Sequence, residues 1–175
     1  GYNLITGYGS TTISNIETNS DLITNPTISS NTARTTYTGG LIGENANSSS
    51  GSFTLKDSYS NRKIEGISFV GGLIGFVNNS STGSNHITNS YSDGKIIGTE
   101  NYIGGIFGSY TSTKETQDLV DKIFTSSEVS GKNYVGGFAG QLTYVNINDS
   151  YSLGKTTAEN YVSGFVASTD YSNYN

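Results

Sequence analysis

The sequence predicts an all-β chain: a parallel β-solenoid (β-helix) of about 32 residues per coil, with one variable loop per coil. Three observations carry that expectation. First, the block YIGGIFG at residues 102–108 is written five times. The other copies are YTGGLIG at 37–43, FVGGLIG at 69–75, YVGGFAG at 134–140 and a worn YVSGFVA at 161–167, so the leading aromatics step by 32, 33, 32 and 27 residues. Second, a companion block keeps its place between them. DSYSNRKIEG at 57–66 matches NSYSDGKIIG at 89–98, KIFTSSEVSG at 122–131 and DSYSLGKTTA at 149–158. Third, hydrophobic residues are 33% and charged residues 13% of a chain rich in Gly, Ser, Thr, Asn and Tyr. Such a chain lacks the apolar volume for a wide core, and a narrow core with backbone hydrogen bonds between stacked coils suits it. A net charge of −5 over 175 residues is too mild to force disorder.

The elements follow in chain order. Residues 1–36 form a divergent N-terminal coil or cap, the usual end of a repeat array. Within it YNLITG at 2–7 resembles a worn first block, Ile23 stands near the aliphatic that precedes the second aromatic, and Pro26 belongs at an edge or turn because it has no N–H. Residues 37–167 are the repeats. In each organising block strict alternation places Tyr102, Gly104, Ile106 and Gly108 on one face and Ile103, Gly105 and Phe107 on the other. Both faces are apolar, so the strand is covered on both sides or kinked at its glycines. A glycine pair in the same place each turn marks a corner or a tightly packed wall. Core burial outweighs the alternative, an exposed contact stripe.

Between the blocks the spacing varies in a single segment, which reads as a loop before the aliphatics Leu55, Ile87, Val120 and Ile147. Then come columns: Asp57, Asn89, Lys122 and Asp149; the aromatics Tyr59, Tyr91, Phe124 and Tyr151; and Lys63, Lys95, Glu128 and Lys155. Stacked parallel coils about 4.8 Å apart turn each column into a ladder. Lys122 then faces Asp149, and Glu128 lies between Lys95 and Lys155. The run STKETQDLVDKIF at 112–124 has capping-box spacing between Ser112 and Glu115, yet its Leu119, Val120 and Phe124 keep the repeat spacing. A short helical turn at most is expected there, with the strand resuming near Val120. Residues 168–175 are a polar tail or a truncated next repeat. The strand at 161–167 is expected to be the last regular one, with its outer edge covered by further polypeptide or by another subunit.

These blocks resemble the GLUG-motif repeat family of bacterial surface proteins and adhesins, in the Gly-Leu-x-Gly of Gly40, Leu41, Ile42, Gly43 and of Gly72, Leu73, Ile74, Gly75. Later copies replace the leucine with Ile106 or Phe138 and the last glycine with Ala167. The resemblance covers about residues 37–167. Its repeats also occur in zinc-dependent immunoglobulin A1 proteases, but the HExxH of such an enzyme is absent here. It therefore implies an extracellular or bacterial cell-surface setting and no catalytic residue.

The chemistry-bearing residues point the same way. His86 is the one histidine, placed by spacing in the variable loop without a partner for metal or acid–base work. Asp57 and Asp149 share a column three coils apart, roughly 14 Å by strand spacing, too far to flank one glycosidic bond. Asp118 and Asp121, with Lys122 beside them, read as a solvated loop. The glycine blocks lack the lysine and hydroxyl of a phosphate-binding loop. Without cysteine there is no disulfide or thiolate metal site. Sequons begin at Asn47, Asn79 and Asn148, as chance allows in such a composition. No basic cluster beyond Arg62 and Lys63 suits nucleic acid, and no apolar run is long enough for membrane insertion.

The expectation is a non-enzymatic repeat segment acting as adhesin or spacer stalk, without catalytic, cofactor-binding or metal residues. Its partners would be a host or neighbouring-cell surface protein or glycan, or further copies of the chain head to tail. Two alternatives stand beside it: a self-assembling extracellular filament subunit, and a β-helical glycan-binding or glycan-degrading module. An ice-binding surface would need a Thr-x-Thr array, whereas the threonines concentrate in the irregular N-terminal part.

Overall fold

The computed structural model describes residues 2–5, 10–18, 22–23, 37–48, 50–80, 82–113 and 118–174. Among them every regular element is a β-strand, and the strands pair in parallel. The chain is thus all-β with a β-helical arrangement of parallel sheets. It visits three sheets in rotation. The first takes Tyr2–Ile5, Ile42–Asn47, Ile74–Asn79, Phe107–Thr111, Ala139–Thr143 and Val166–Asp170 in that order. The second takes Ser10–Ser14, Ser52–Lys56, Asn85–Ser92, Leu119–Thr125, Asn146–Asn148 and Asn173–Tyr174. The third is built on Lys63–Gly66, Lys95–Gly98 and Glu128–Gly136, with Thr38–Gly39, Val70–Gly71 and Asn101–Gly104 on its other arm.

The pairing reproduces the columns read from the sequence. Ile74 pairs with Ile42 and with Phe107, Ile87 with Leu55 and Val120, and Lys95 with Lys63 and Glu128. Inside lie two apolar clusters. The larger includes Phe53, Leu55, Leu73, Ile74, Ile87, Phe107, Val120 and Phe138, and the smaller Ile64, Val70, Ile96, Ile103, Val129 and Val135. A core only a side chain or two across is what a chain with so few apolar residues can fill.

The corners explain the residues around them. Asn15, Asp57, Asn89, Lys122 and Asp149 all sit at φ between 44° and 57°, the left-handed region that Asn and Asp tolerate best. The serine that follows does two jobs. Ser58, Ser90 and Ser150 each donate to the carbonyl two residues back, at 2.8, 2.9 and 2.7 Å, and each accepts an N–H from the preceding copy, Ile16, Ser58 and Ile123 in turn, at 3.1 Å. A second left-handed corner holds the leading aromatics Phe69, Tyr102, Tyr134 and Tyr161, at φ from 51° to 61°, which turns their rings outward.

The glycine pair lies where backbones of successive copies meet. A Cβ on Gly105 would press on the Gly137 carbonyl and lie 2.8 Å from Thr125 Oγ1; one on Gly137 would press on the Gly164 carbonyl and lie 2.5 Å from Ser152 Oγ. The small hydroxyl column Ser60, Ser92, Thr125 and Ser152 thus occupies the space the glycines leave.

Several sequence expectations change. Tyr2–Ile5 pairs with Glu44–Asn47, just after the organising block, so it is not a copy of that block. Ile13, not Ile23, precedes the second aromatic column, because Ile13 pairs with Leu55 while Ile23 pairs with Glu65. Strict alternation fails in the organising block, since the left-handed residue and the glycine corner reset the direction: Ile103 enters the smaller cluster, whereas Ile106 and Phe107 enter the larger. His86 lies within the strand Asn85–Ser92, not in a loop. Pro26 and Glu115 fall outside the described residues.

Candidate interaction surface and a buried carboxylate

The outward aromatics form ladders. Tyr59, Tyr91, Phe124 and Tyr151 stack in one column with ring centroids 4.8, 4.8 and 5.5 Å apart. Tyr37, Phe69, Tyr102, Tyr134 and Tyr161 form a second at 5.3, 5.2, 5.2 and 4.7 Å. Phe76 joins the second ladder by stacking on Tyr37 at 4.8 Å. Tyr144 and Tyr171, 4.8 Å apart and both left-handed, form a third pair that the sequence reading missed; its signal is the aromatic–Val/Ser step recurring 27 residues later. Rings in the middle of a ladder have their faces covered and present edges and hydroxyls, while Tyr151, Tyr161 and Tyr171 in the last copy are exposed. Alongside the leading ladder runs an amide ladder, Asn133 donating to Asn101 and Asn160 to Asn133, each at 2.9 Å.

At its other end the Tyr59 column meets Glu17, which pairs with Tyr59. The Glu17 hydrogen bond, then burial and the carboxylate charge, push the Tyr59 phenol up to about 12. In the first sheet burial pushes the Glu44 carboxyl up, next to Phe76.

Asp118 overturns its sequence reading as part of a solvated loop. It is fully buried, and four donors converge on it. Oδ1 accepts from Asn79 Nδ2 at 2.8 Å and the Asn85 N–H at 2.6 Å; Oδ2 accepts from the Tyr110 hydroxyl at 3.1 Å and Ser112 Oγ at 2.8 Å. Burial raises the Asp118 carboxyl above its ordinary value against the opposing pull of those bonds. Burial likewise drives the Tyr110 phenol well above its ordinary value. Ser112 Oγ is thus engaged with Asp118, while the expected short helical turn falls on residues 114–117, outside the described ones. In the two preceding copies the same connection is closed by asparagine, Asn47 to the Gly51 carbonyl and Asn79 to the Gly83 carbonyl, both at 2.7 Å.

The other residues singled out by sequence do not converge. His86 is exposed between Thr54 and Leu119. Asp57 bonds to Asn89, and Asp121 pairs with Lys122 at 2.8 Å. Lys122 is held above the ordinary lysine range by Asp121 first, with a smaller push from Asp149. Lys95 meets Glu128 at 3.8 Å as the columns imply, and Lys132 meets Glu100 at 3.7 Å. Two sequon asparagines, Asn47 and Asn79, are buried with their amides engaged, so the folded chain does not offer them to a glycosyltransferase. Among the described residues, no three His, Asp or Glu side chains gather as a metal site.

No family model matches this chain, and neither does any curated protein or solved structure.

Proposed function

We propose that the chain is a β-solenoid stalk of about 32 residues per coil, serving as a non-enzymatic adhesive or spacer segment of a bacterial surface protein. The observation that carries it is the in-register stacking of two outward aromatic ladders across successive copies. Such a build gives length and a repeated surface from few apolar residues, and the GLUG-like blocks sit where copies touch. The coil is tested by cross-linking: Thr54 and His86 are register partners, and the chain has no native cysteine. Thr54→Cys with His86→Cys should close a disulfide on mild oxidation, because neighbouring parallel strands hold Cα atoms within the disulfide range. Failure to close it would overturn the 32-residue coil.

The adhesive role is tested with beads carrying the purified chain. Adhesion to host cells that falls when Tyr102 and Tyr134 are both changed to Ser supports a ladder-borne contact. Adhesion unaffected by those changes assigns the segment to the spacer role, and turnover of any surface glycan by the chain would sink both.

A further inference from the structure

Two tyrosines in the middle of the second aromatic column differ from the other ring pairs in what lies on either side of them. Tyr59 and Tyr91 are register partners on adjacent parallel strands, with ring centroids 4.8 Å apart and planes 1° from parallel. Rings related in this way by the strand repeat hold equivalent carbons about 4.8 Å apart. Both side chains are half-buried, so each ring has room to swing towards the other. On one side of the pair Glu17 is the register partner of Tyr59 and accepts a hydrogen bond from its hydroxyl. On the other side Phe124 covers Tyr91 at 4.8 Å, and a phenyl ring has no O–H to lose. The column therefore isolates two phenols between a carboxylate and a ring that is harder to oxidise. The leading ladder, by contrast, runs beside the amides Asn101, Asn133 and Asn160, which are poor proton acceptors.

A phenol gives up an electron more readily when its proton leaves with it to a base already in hydrogen-bond contact, because the phenol radical cation is a strong acid. We propose that Tyr59 and Tyr91 form an oxidative modification site, at which a one-electron oxidant joins the two phenols as dityrosine while Glu17 takes the Tyr59 proton. The oxidant is an outer-sphere electron acceptor, consumed at two equivalents per link and reduced by one electron each. Every tyrosine of the pair gives up one electron and one proton, the proton passing from Tyr59 to Glu17 and from Tyr91 to water. The two phenoxyl radicals then pair their electrons in a new bond between Cε carbons. The ring hydrogen on each of those carbons returns to its phenol oxygen, so the chain loses two hydrogen atoms in all. Glu17 is exposed and releases its proton to solvent. The link ties two copies together on the outside of the coil and constrains the unfolded chain as a disulfide does. It needs the register of the stacked coil and is independent of the adhesive role.

Ruthenium tris-bipyridine with light and persulfate supplies such an oxidant and tests the site on the whole chain. At a limiting dose the unmodified chain should lose the mass of two hydrogens while remaining a monomer. It should gain dityrosine fluorescence and, on digestion, yield Tyr59–Tyr91 as its main linked peptide. Tyr91→Phe puts at 91 the residue that the column already carries at 124, and should remove that peptide. Glu17→Gln should slow the Tyr59–Tyr91 link by about threefold or more while other tyrosine links keep their rates. A main link at Tyr102–Tyr134 or Tyr134–Tyr161, or linkage only between molecules, overturns the site. An unchanged rate in Glu17→Gln overturns the part given to Glu17. If the Thr54–His86 disulfide closes and no Tyr59–Tyr91 link forms, the coil stands and the modification site does not.

Discussion

Asn79 donates a 2.8 Å hydrogen bond to Asp118, 39 residues further along the chain, and so ties two successive copies together at a point neither shows to solvent. With Asn85, Tyr110 and Ser112 on the same carboxylate, four donors share one buried acceptor group. Asp118→Ala strips the acceptor from four donors at once. Leaving such groups unsatisfied in the interior costs about 1–3 kcal/mol each before relaxation, so the variant should lose about 3 kcal/mol or more in denaturant unfolding. Asp118→Asn keeps an oxygen for Asn79 and Asn85 while the hydroxyls of Tyr110 and Ser112 rotate to accept, so its loss should be about 1 kcal/mol.

The same pair of variants fixes a pH dependence. Asp118 has its carboxyl raised above 3.8 in the fold, with burial the leading cause. The folded chain therefore holds that proton more tightly than the unfolded chain does. The contribution of Asp118 to stability is fully present below the unfolded carboxylate range and falls as pH rises through the folded value. Stability of the unmodified chain minus that of Asp118→Asn should decrease from pH 3.8 upward and then level off. A difference that grows with pH would show the carboxyl to be lowered instead.

Lys122 is the one member of its column that is neither Asn nor Asp, yet it holds φ at 53°. The left-handed conformation costs an ordinary residue about 1–2 kcal/mol, less for Asn. Lys122→Asn should stabilise by about 0.5–1 kcal/mol, raising the thermal midpoint, despite losing an exposed pair with Asp121 that contributes little. Asn89→Ala should move the midpoint the other way.

Glycines at equivalent places should respond oppositely according to what lies above them. Gly105→Ala drives a methyl into the Gly137 carbonyl and towards Thr125, and should prevent folding or destabilise by about 3 kcal/mol or more. Gly164→Ala meets open space and should stay within about 0.5 kcal/mol of the unmodified chain. Far-UV circular dichroism with urea unfolding reads both.

The Tyr59 phenol is pushed up to about 12, first by its hydrogen bond to Glu17 and then by burial and the Glu17 charge, which opposes ionisation. Ultraviolet titration of the phenols should show this late ionisation, and Glu17→Gln should bring it back towards 10. An unchanged titration in that variant would remove Glu17 as the cause.

Repetition made the parallel register legible before any coordinates. Side chains at equivalent positions of a stacked chain must fit one another, so Tyr59, Tyr91, Phe124 and Tyr151 carry their alignment in plain spacing, as do Leu55, Ile87, Val120 and Ile147. What repetition could not show were contacts made once. Asp118 looked solvated because Lys122 and Asp121 lie beside it in sequence, while its partners arrive from Asn79, Asn85 and Tyr110 through folding. Nor does alternation register a left-handed corner, so the outward turn of Tyr102 and the division of Ile103 from Ile106 were decided by backbone geometry. The glycine pair is the sharpest case. Spacing marks Gly105 and Gly137 as a recurring corner; only the fold shows that the carbonyl of the following copy, from Gly137 and Gly164 in turn, leaves no room for a Cβ at either, because steric exclusion acts between residues that the linear chain keeps apart.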